Sequence, residues 1–293
     1  MRKNKSLFFG CVMLAVLVVM GFIGPQLPFI DTELKEEVVR FQGDQILEPP
    51  YPPSLHNLLG SDPMGRDLLS LIVMGTNNIL AIVFVIALIR YLIAVPLGFA
   101  ASKGTGPAHW LIHAWNRVFS SFPTLFAAIF LMNIPFIIFS ENRLTLSVVF
   151  LARIEVGRVA YIVQQQSSDL SQTLYVQASR MMGTPPPGIY YHHYMPVLST
   201  EIIVNFFLDM GRAMLLVGQL GLFGIYIAQK FVQTNFGTGE LRNTSINWAT
   251  ILGQSRESFF IAPWYTFFPA IMIAFAIIAF NLTGEGLRKY FSR

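Results

Sequence analysis

Charge is what this chain lacks most. Asp, Glu, Lys and Arg make up 12% of its 293 residues, about half the share found in an ordinary soluble domain. These are too few to coat a soluble surface of this size. A hydrophobic share of 54% and a mean hydropathy of +0.55 point instead to a polytopic membrane protein. Cysteine is nearly missing. Cys11 stands alone, which excludes an intrachain disulfide and a cysteine metal cluster. It lies inside an apolar run rather than behind one, so its flanks read as a buried membrane thiol and not as a lipoprotein signal. No G-x-x-x-x-G-K-[ST] loop occurs to cradle phosphates. There is no Ser-His-Asp arrangement or paired-carboxylate motif, so no residue is assigned a catalytic role. The net charge of +4 is too small to argue for nucleic acid. Nor do the histidines form a metal site. His192 and His193 are adjacent and cannot share a helix face, while His109 and His113, four apart, flank Trp110 at an expected membrane interface.

What the chain does have is apolar sequence in lengths that cross a bilayer, which takes about 20 residues as a helix. Six segments qualify: 7–30, 72–100, 118–139, 144–163, 197–226 and 262–283. The expected fold is therefore all-α, with six transmembrane helices. With the amino terminus inside, the inner segments hold nine Lys or Arg: Arg2, Lys3, Lys5, Lys103, Arg117, Arg180, Arg288, Lys289 and Arg293. The outer segments 31–71, 140–143 and 227–261 hold seven. The margin is narrow, but the outer loops are long and the cations before the first helix weigh most. Both termini are expected in the cytoplasm, with the chain in a cell membrane.

The inner loop 164–196 reads "QQQSSDLSQTLYVQASRMMGTPPPGIYYHHYMP". Leu170, Leu174, Ala178 and Met181 fall near one helical face. Gly183 and then Pro185, Pro186 and Pro187 stop that helix, and a second short one can start near Gly188. A helix, a rigid break and a second helix on the membrane surface suit insertion into a partner's groove.

This loop resembles that of the inner-membrane permeases of binding-protein-dependent ABC importers, which has the form E-A-A-x-x-x-G-x(9)-I-x-L-P. Here Gln177-Ala178-Ser179 precede Gly183, and nine residues later come His193-Tyr194-Met195-Pro196, with the spacing intact. Gln177 stands for the glutamate and Ser179 for an alanine. "LGSDPMGRDLLSLIVMGTNNIL", "AVPLGFAASKG" and the closing "FNLTGEGLRKYF" resemble segments of the dipeptide, oligopeptide and nickel branch, specifically its second permease type. The fifth-helix "MLLVGQLGLFG" departs from the branch pattern, and the outer segment 227–261 is longer than usual.

The resemblance implies a type I importer permease fold, with a first helix and outer segment (1–71) ahead of a five-helix core (72–293). Residues 170–183 would form a coupling helix on a cytoplasmic ATPase, carried by Tyr175, Gln177, Ala178, Ser179, Arg180 and Gly183 with His193 and Pro196. It implies four partners besides the lipid bilayer: a homologous second permease, two ABC ATPase subunits, and a substrate-binding protein outside. No cofactor would sit on this chain, and ATP and Mg would be bound by the ATPases. The cargo would be a di- or oligopeptide, with nickel or a metal chelate as the alternative. A reading from a different class is an ion-coupled secondary transporter using Glu155 and Asp209.

Two further groups stand out. Arg153, Glu155 and Arg158 lie within a bilayer-length run, and Asp209 and Arg212 lie in another. Ionisable groups there face a cavity or each other, and Glu155–Arg158 and Asp209–Arg212 are each spaced to pair on one helix face. They either line the path of a zwitterionic peptide or form structural ion pairs. In the outer "LGSDPMGRD", Asp62 and Pro63 read as the cap and first position of the helix that enters the membrane. Gly65 would lie in its first turn, and Arg66 and Asp67 would meet the partner permease or the binding protein.

Overall fold

The computed structural model describes residues 4–42, 45–235 and 238–291. Arg2, Lys3 and Arg293, three of the cations used for orientation, lie outside them. Its helices in chain order are α1 (Lys5–Phe22), α2 (Leu68–Ala100), α3 (Pro107–Ser120), α4 (Thr124–Met132), α5 (Pro135–Ile138), α6 (Arg143–Ile154) and α7 (Val156–Ser171). After these come α8 (Leu174–Met181), α9 (Pro186–Ile189), α10 (Met195–Leu222), α11 (Trp248–Gln254) and α12 (Pro263–Phe291). Two antiparallel hairpins depart from the all-α expectation: β1 (Arg40–Gln42) with β2 (Gln45–Leu47), and β3 (Gln229–Asn235) with β4 (Thr238–Asn243). Both lie in the long segments expected outside, where no bilayer-length apolar run competes with strand pairing.

Among the described residues three helices, α1, α2 and α12, are long and apolar enough to cross a membrane. The other expected spans are built differently. The third breaks into α3, α4 and α5 because Pro123 and Pro135 each interrupt the hydrogen-bond ladder, and each begins a new helix. The fourth breaks at Glu155, whose backbone leaves the helical region (φ −102°, ψ 4°) between α6 and α7. The fifth is continuous as α10.

The main core lies where α2, α6, α10, α11 and α12 meet, around Leu71, Ile79, Leu151, Met214, Leu220, Trp248 and Phe280. The segment 227–261 is not a simple outer loop. Its α11 is buried from Trp248 to Gly253. An Asn247–Thr250 capping box starts this helix, and the Trp248 indole donates to the Ile72 carbonyl of α2 at 2.9 Å. Helix α1 packs on α12 through small residues, with Gly10 against Thr283 and Gly286 against Leu7. Cys11, read as a buried membrane thiol, lies on the apolar helix α1, on a face exposed from the rest of the chain.

Helix α2 sets the long axis. Thirty-three residues span about 50 Å at 1.5 Å per residue. The segment 31–67 gathers at its first turn, where the Asp31 amide donates to Ser70 Oγ at 2.9 Å. Helices α8 and α9 gather at its last turn, where Phe99 packs with Val176, Ile189 and Tyr194.

Candidate functional site

Three places carry the residues singled out by the sequence. The first is the turn before α2. Asp67, not Asp62, caps this helix: its Oδ2 accepts from the Ser70 amide at 2.8 Å and the Ser70 hydroxyl at 2.7 Å. Asp62 holds a tight turn instead. Its Oδ1 accepts from the amides of Met64 (3.0 Å) and Arg66 (2.9 Å), and its Oδ2 accepts from Arg66 Nε at 2.7 Å. Gly65 sits in that turn at φ +80°, in the left-handed region. A Cβ there would fall 2.1 Å from the Glu37 carbonyl. The turn comes so close to 31–42 that only glycine fits. The capping role moves to Asp67 because the chain must first complete this turn, closed by a Ser61–Asp67 bridge. Arg66 is spent on buried Asp62, and Asp67 Oδ1 accepts from Asn57 Nδ2 at 3.3 Å.

The second place is at the far end of α2. Helix α8 spans Leu174–Met181, shorter than the expected 170–183. Its end is a Schellman motif: the Thr184 amide donates to the Ser179 carbonyl, and the Gly183 amide donates to the Arg180 carbonyl. Gly183 has φ +85°. Val176 and Ser179 face inward, while Leu174 and Met181 are 84% and 86% exposed. The apolar periodicity at Leu174 and Met181 therefore marks the open face, not the core. Tyr175, Gln177 and Ala178 are exposed with it. The helix is tied to the body by side chains. Arg180 Nη2 donates to the Tyr194 hydroxyl at 2.9 Å, and that hydroxyl donates to Ser102 Oγ, just beyond α2, at 3.3 Å. Ser179 Oγ donates to Thr184 Oγ1 and lies 3.0 Å from His193 Nε2. A π turn at Tyr190–Tyr194 then leads into α10, with exposed Pro196 in its first turn.

The third place is the middle of the bundle. Glu155 and Arg158 do meet (2.7 Å), and Asp209 and Arg212 approach to 3.7 Å, but neither pair is isolated. Arg90 of α2, which the sequence reading passed over, joins them. It is 1% exposed and donates from Nη1 to Asp209 Oδ2 at 2.5 Å and to Glu155 Oε2 at 3.1 Å. Arg158 Nη2 reaches Asp209 Oδ1 at 2.5 Å. Arg90 also explains the break at Glu155. Its Nε and Nη2 take the carbonyls of Ala152 (3.3 Å) and Leu151 (3.4 Å), and the Trp115 indole takes that of Arg153 (3.0 Å). These are orphan carbonyls at the end of α6, where a cation also suits the helix dipole. Arg153 itself is exposed and stands outside the network.

The signal for Arg90 was available, since a lone cation in "LIRYLIAVPLG" breaks the same rule that picked out Glu155. A cavity of about 50 Å³ opens beside the network, lined by Tyr91, Arg158, Gln166, Asn205 and Arg212 with apolar neighbours. Tyr91 and Ile202 also line an apolar groove of about 810 Å³ between α2 and α9–α10.

The structure thus places an exposed, tethered short helix at one end of the bundle and a buried charged network in its middle. The family model described as binding-protein-dependent transport system inner membrane component matches residues 94–293. The chain belongs to this family. The match covers the last turns of α2, α8 and the network residues Glu155, Arg158, Asp209 and Arg212, and begins just after Arg90. Three of its relatives are a glutathione transport system permease protein, GsiD, from Pectobacterium atrosepticum, a dipeptide transport system permease protein, DppC, from Bacillus subtilis, and an oligopeptide transport system permease protein, OppC, from Haemophilus influenzae. The chain is 28% identical to the first over 80% of its own length and 72% of the relative's. It is 27% identical to the second over 98% and 82%, and 24% identical to the third over 98% and 84%. The recognition of an ABC importer permease from the loop spacing agrees with this. The family makes the chain a transport permease subunit and not an enzyme.

Proposed function

We propose that this chain is one half of the translocation path of an ATP-driven importer for short peptides, with α8 as its coupling helix. The observation that carries the reading is α8 itself. It is a short helix whose apolar face is open, whose other face is packed, and whose anchor runs through Arg180, Tyr194 and Ser102 into the end of α2. A groove-bound helix of this kind transmits motion because it is stiffly tied to the helix that must move. Six membrane crossings, both termini in the cytoplasm, and the core 72–293 behind an added first helix complete the arrangement. Broken passages such as α6–α7 count as crossings, because non-helical backbone at membrane depth is tolerated where protein satisfies it.

The partners are a second permease, two ATPases that bind ATP and Mg, and an outer binding protein near the 31–67 cap. The relatives' names support a peptide cargo: dipeptides, oligopeptides and glutathione are all short and carry free carboxylates. The buried network supports the path reading, because a charged cluster within the membrane costs far less when it borders a polar passage. Reconstitution with two ATPases, a second permease and a binding protein of a peptide importer tests the proposal. ATP-dependent uptake of a short peptide is expected, and uptake by the chain alone under an ion gradient would overturn it.

A further inference from the structure

The central network does not balance. Arg90, Arg158 and Arg212 bring three guanidiniums against the two carboxylates of Glu155 and Asp209. Arg90 is consumed entirely within the core. The surplus positive charge falls on Arg158 and Arg212, which are 31% and 53% exposed and line the 50 Å³ cavity between α7 and α10. The donors there are underused. Arg158 spends only Nη2 on the two carboxylates. Arg212 has only the 3.7 Å approach to Asp209, longer than a hydrogen bond. Asn205 accepts from Arg288 at its Oδ1, which leaves its amide hydrogens for the cavity. The cavity thus offers N–H groups and excess positive charge to a ligand with oxygen acceptors and no donors.

We propose that this cavity is a seat for a carboxylate, gripped by Arg158 and Arg212 and flanked by Gln166 and Asn205. The carboxyl terminus of a peptide in transit is its cargo ligand. The volume suits one carboxylate group rather than a whole peptide. Because Tyr91 and Ile202 border both this cavity and the apolar groove, an apolar side chain next to the carboxylate can rest in the groove. The cargo identity rests on the path reading above, whereas the carboxylate seat does not.

Equilibrium binding of labelled tri-alanine to the full chain in lipid nanodiscs tests it, with tri-alanine amide and sodium acetate as competitors. The free acid is expected to bind at least about tenfold more tightly than the amide, the worth of one charge-assisted hydrogen bond. Arg212→Gln should erase that preference, and Arg212→Lys should keep much of it. Arg212 is half exposed and holds no hydrogen bond, so its replacement leaves the fold intact, and Arg158→Gln gives a second, independent variant. Equal binding of acid and amide, no binding of either, or a preference that survives both glutamine variants would overturn the seat. Acetate competing as well as the peptide would keep the seat and give it to small free anions. Uptake unchanged in Arg212→Gln, with the binding preference lost, would leave the seat standing and sink its place on the path.

Discussion

Arg90 shows how one side chain can shape a bundle. It pairs with Asp209 and Glu155, which lie 119 and 65 residues further along the chain, and it closes the end of α6. Removing it strips the buried carboxylates and the carbonyls at the end of α6 of their donor, and breaking a buried ion pair in this way costs about 3–5 kcal/mol. Arg90→Met is therefore expected to lower stability by about that amount in a detergent titration of unfolding, while Arg153→Met, on an exposed side chain, should change it by less than about 0.5 kcal/mol. Equal effects would show that the network does not hold the core. The sequence pointed to Glu155, Arg158, Asp209 and Arg212, because spacing by three is visible in a string. It could not show that the binding partner comes from α2, since that contact exists only after the helices pack.

A second residue-scale prediction concerns the outer cap. The Arg40 guanidinium hydrogen-bonds Glu37 and holds its carboxyl below the usual carboxylate range. Because the folded form has the lower pKa, the contribution is complete above the unfolded carboxylate pKa, about 4.3. It fades as pH falls through the lower, folded value. Hydrogen-exchange protection in 37–57, taken relative to the intrinsic amide rate at each pH, should therefore fall as pH drops below about 4.3 in the parent chain and change less in Glu37→Gln.

Among the elements, α1, α2, α10 and α12 were legible as apolar runs. The broken passages were legible only in part. Pro123 and Pro135 stand in plain view, and the length of the apolar run outweighed them. The break at Glu155 has no local signal, because it is satisfied by Arg90 and Trp115 from elsewhere in the chain. Placing the cap at Asp62 failed for a similar reason. Asp-Pro is a sound local signature of a helix start, and only the approach of Gly65 to Glu37 shows that the chain turns there first. For α8, the Gly183 stop was legible, and the open stripe of Leu174 and Met181 fits a helix read as inserting into a partner's groove. Its proposed coupling role rests on the tether. Tyr194→Phe keeps the ring and loses both hydrogen bonds, about 1 kcal/mol each. Peptide carried per ATP hydrolysed by the assembled importer is expected to fall several-fold, with ATP hydrolysis retained. A parallel loss of both activities would make Tyr194 a folding residue only.

At the scale of the whole molecule, α2 runs about 50 Å, with the turn at Asp62–Asp67 at one end, the short helix α8 at the other and a buried charged network between. The scarcity of charge made the membrane location legible, and the loop spacing made the family legible. The account stands most directly on what α8 touches. With Cys11→Ser removing the only native cysteine, Met181→Cys gives a single thiol on the open face of α8. In membranes holding the other importer subunits, a short thiol cross-linker should join Met181→Cys to the ATPase, and ATP should change the yield. A control thiol at Leu55, 99% exposed in the segment proposed to lie outside, should not cross-link to it. Absence of the Met181→Cys product while the complex imports peptide, or equal cross-linking from both positions, would contradict the account.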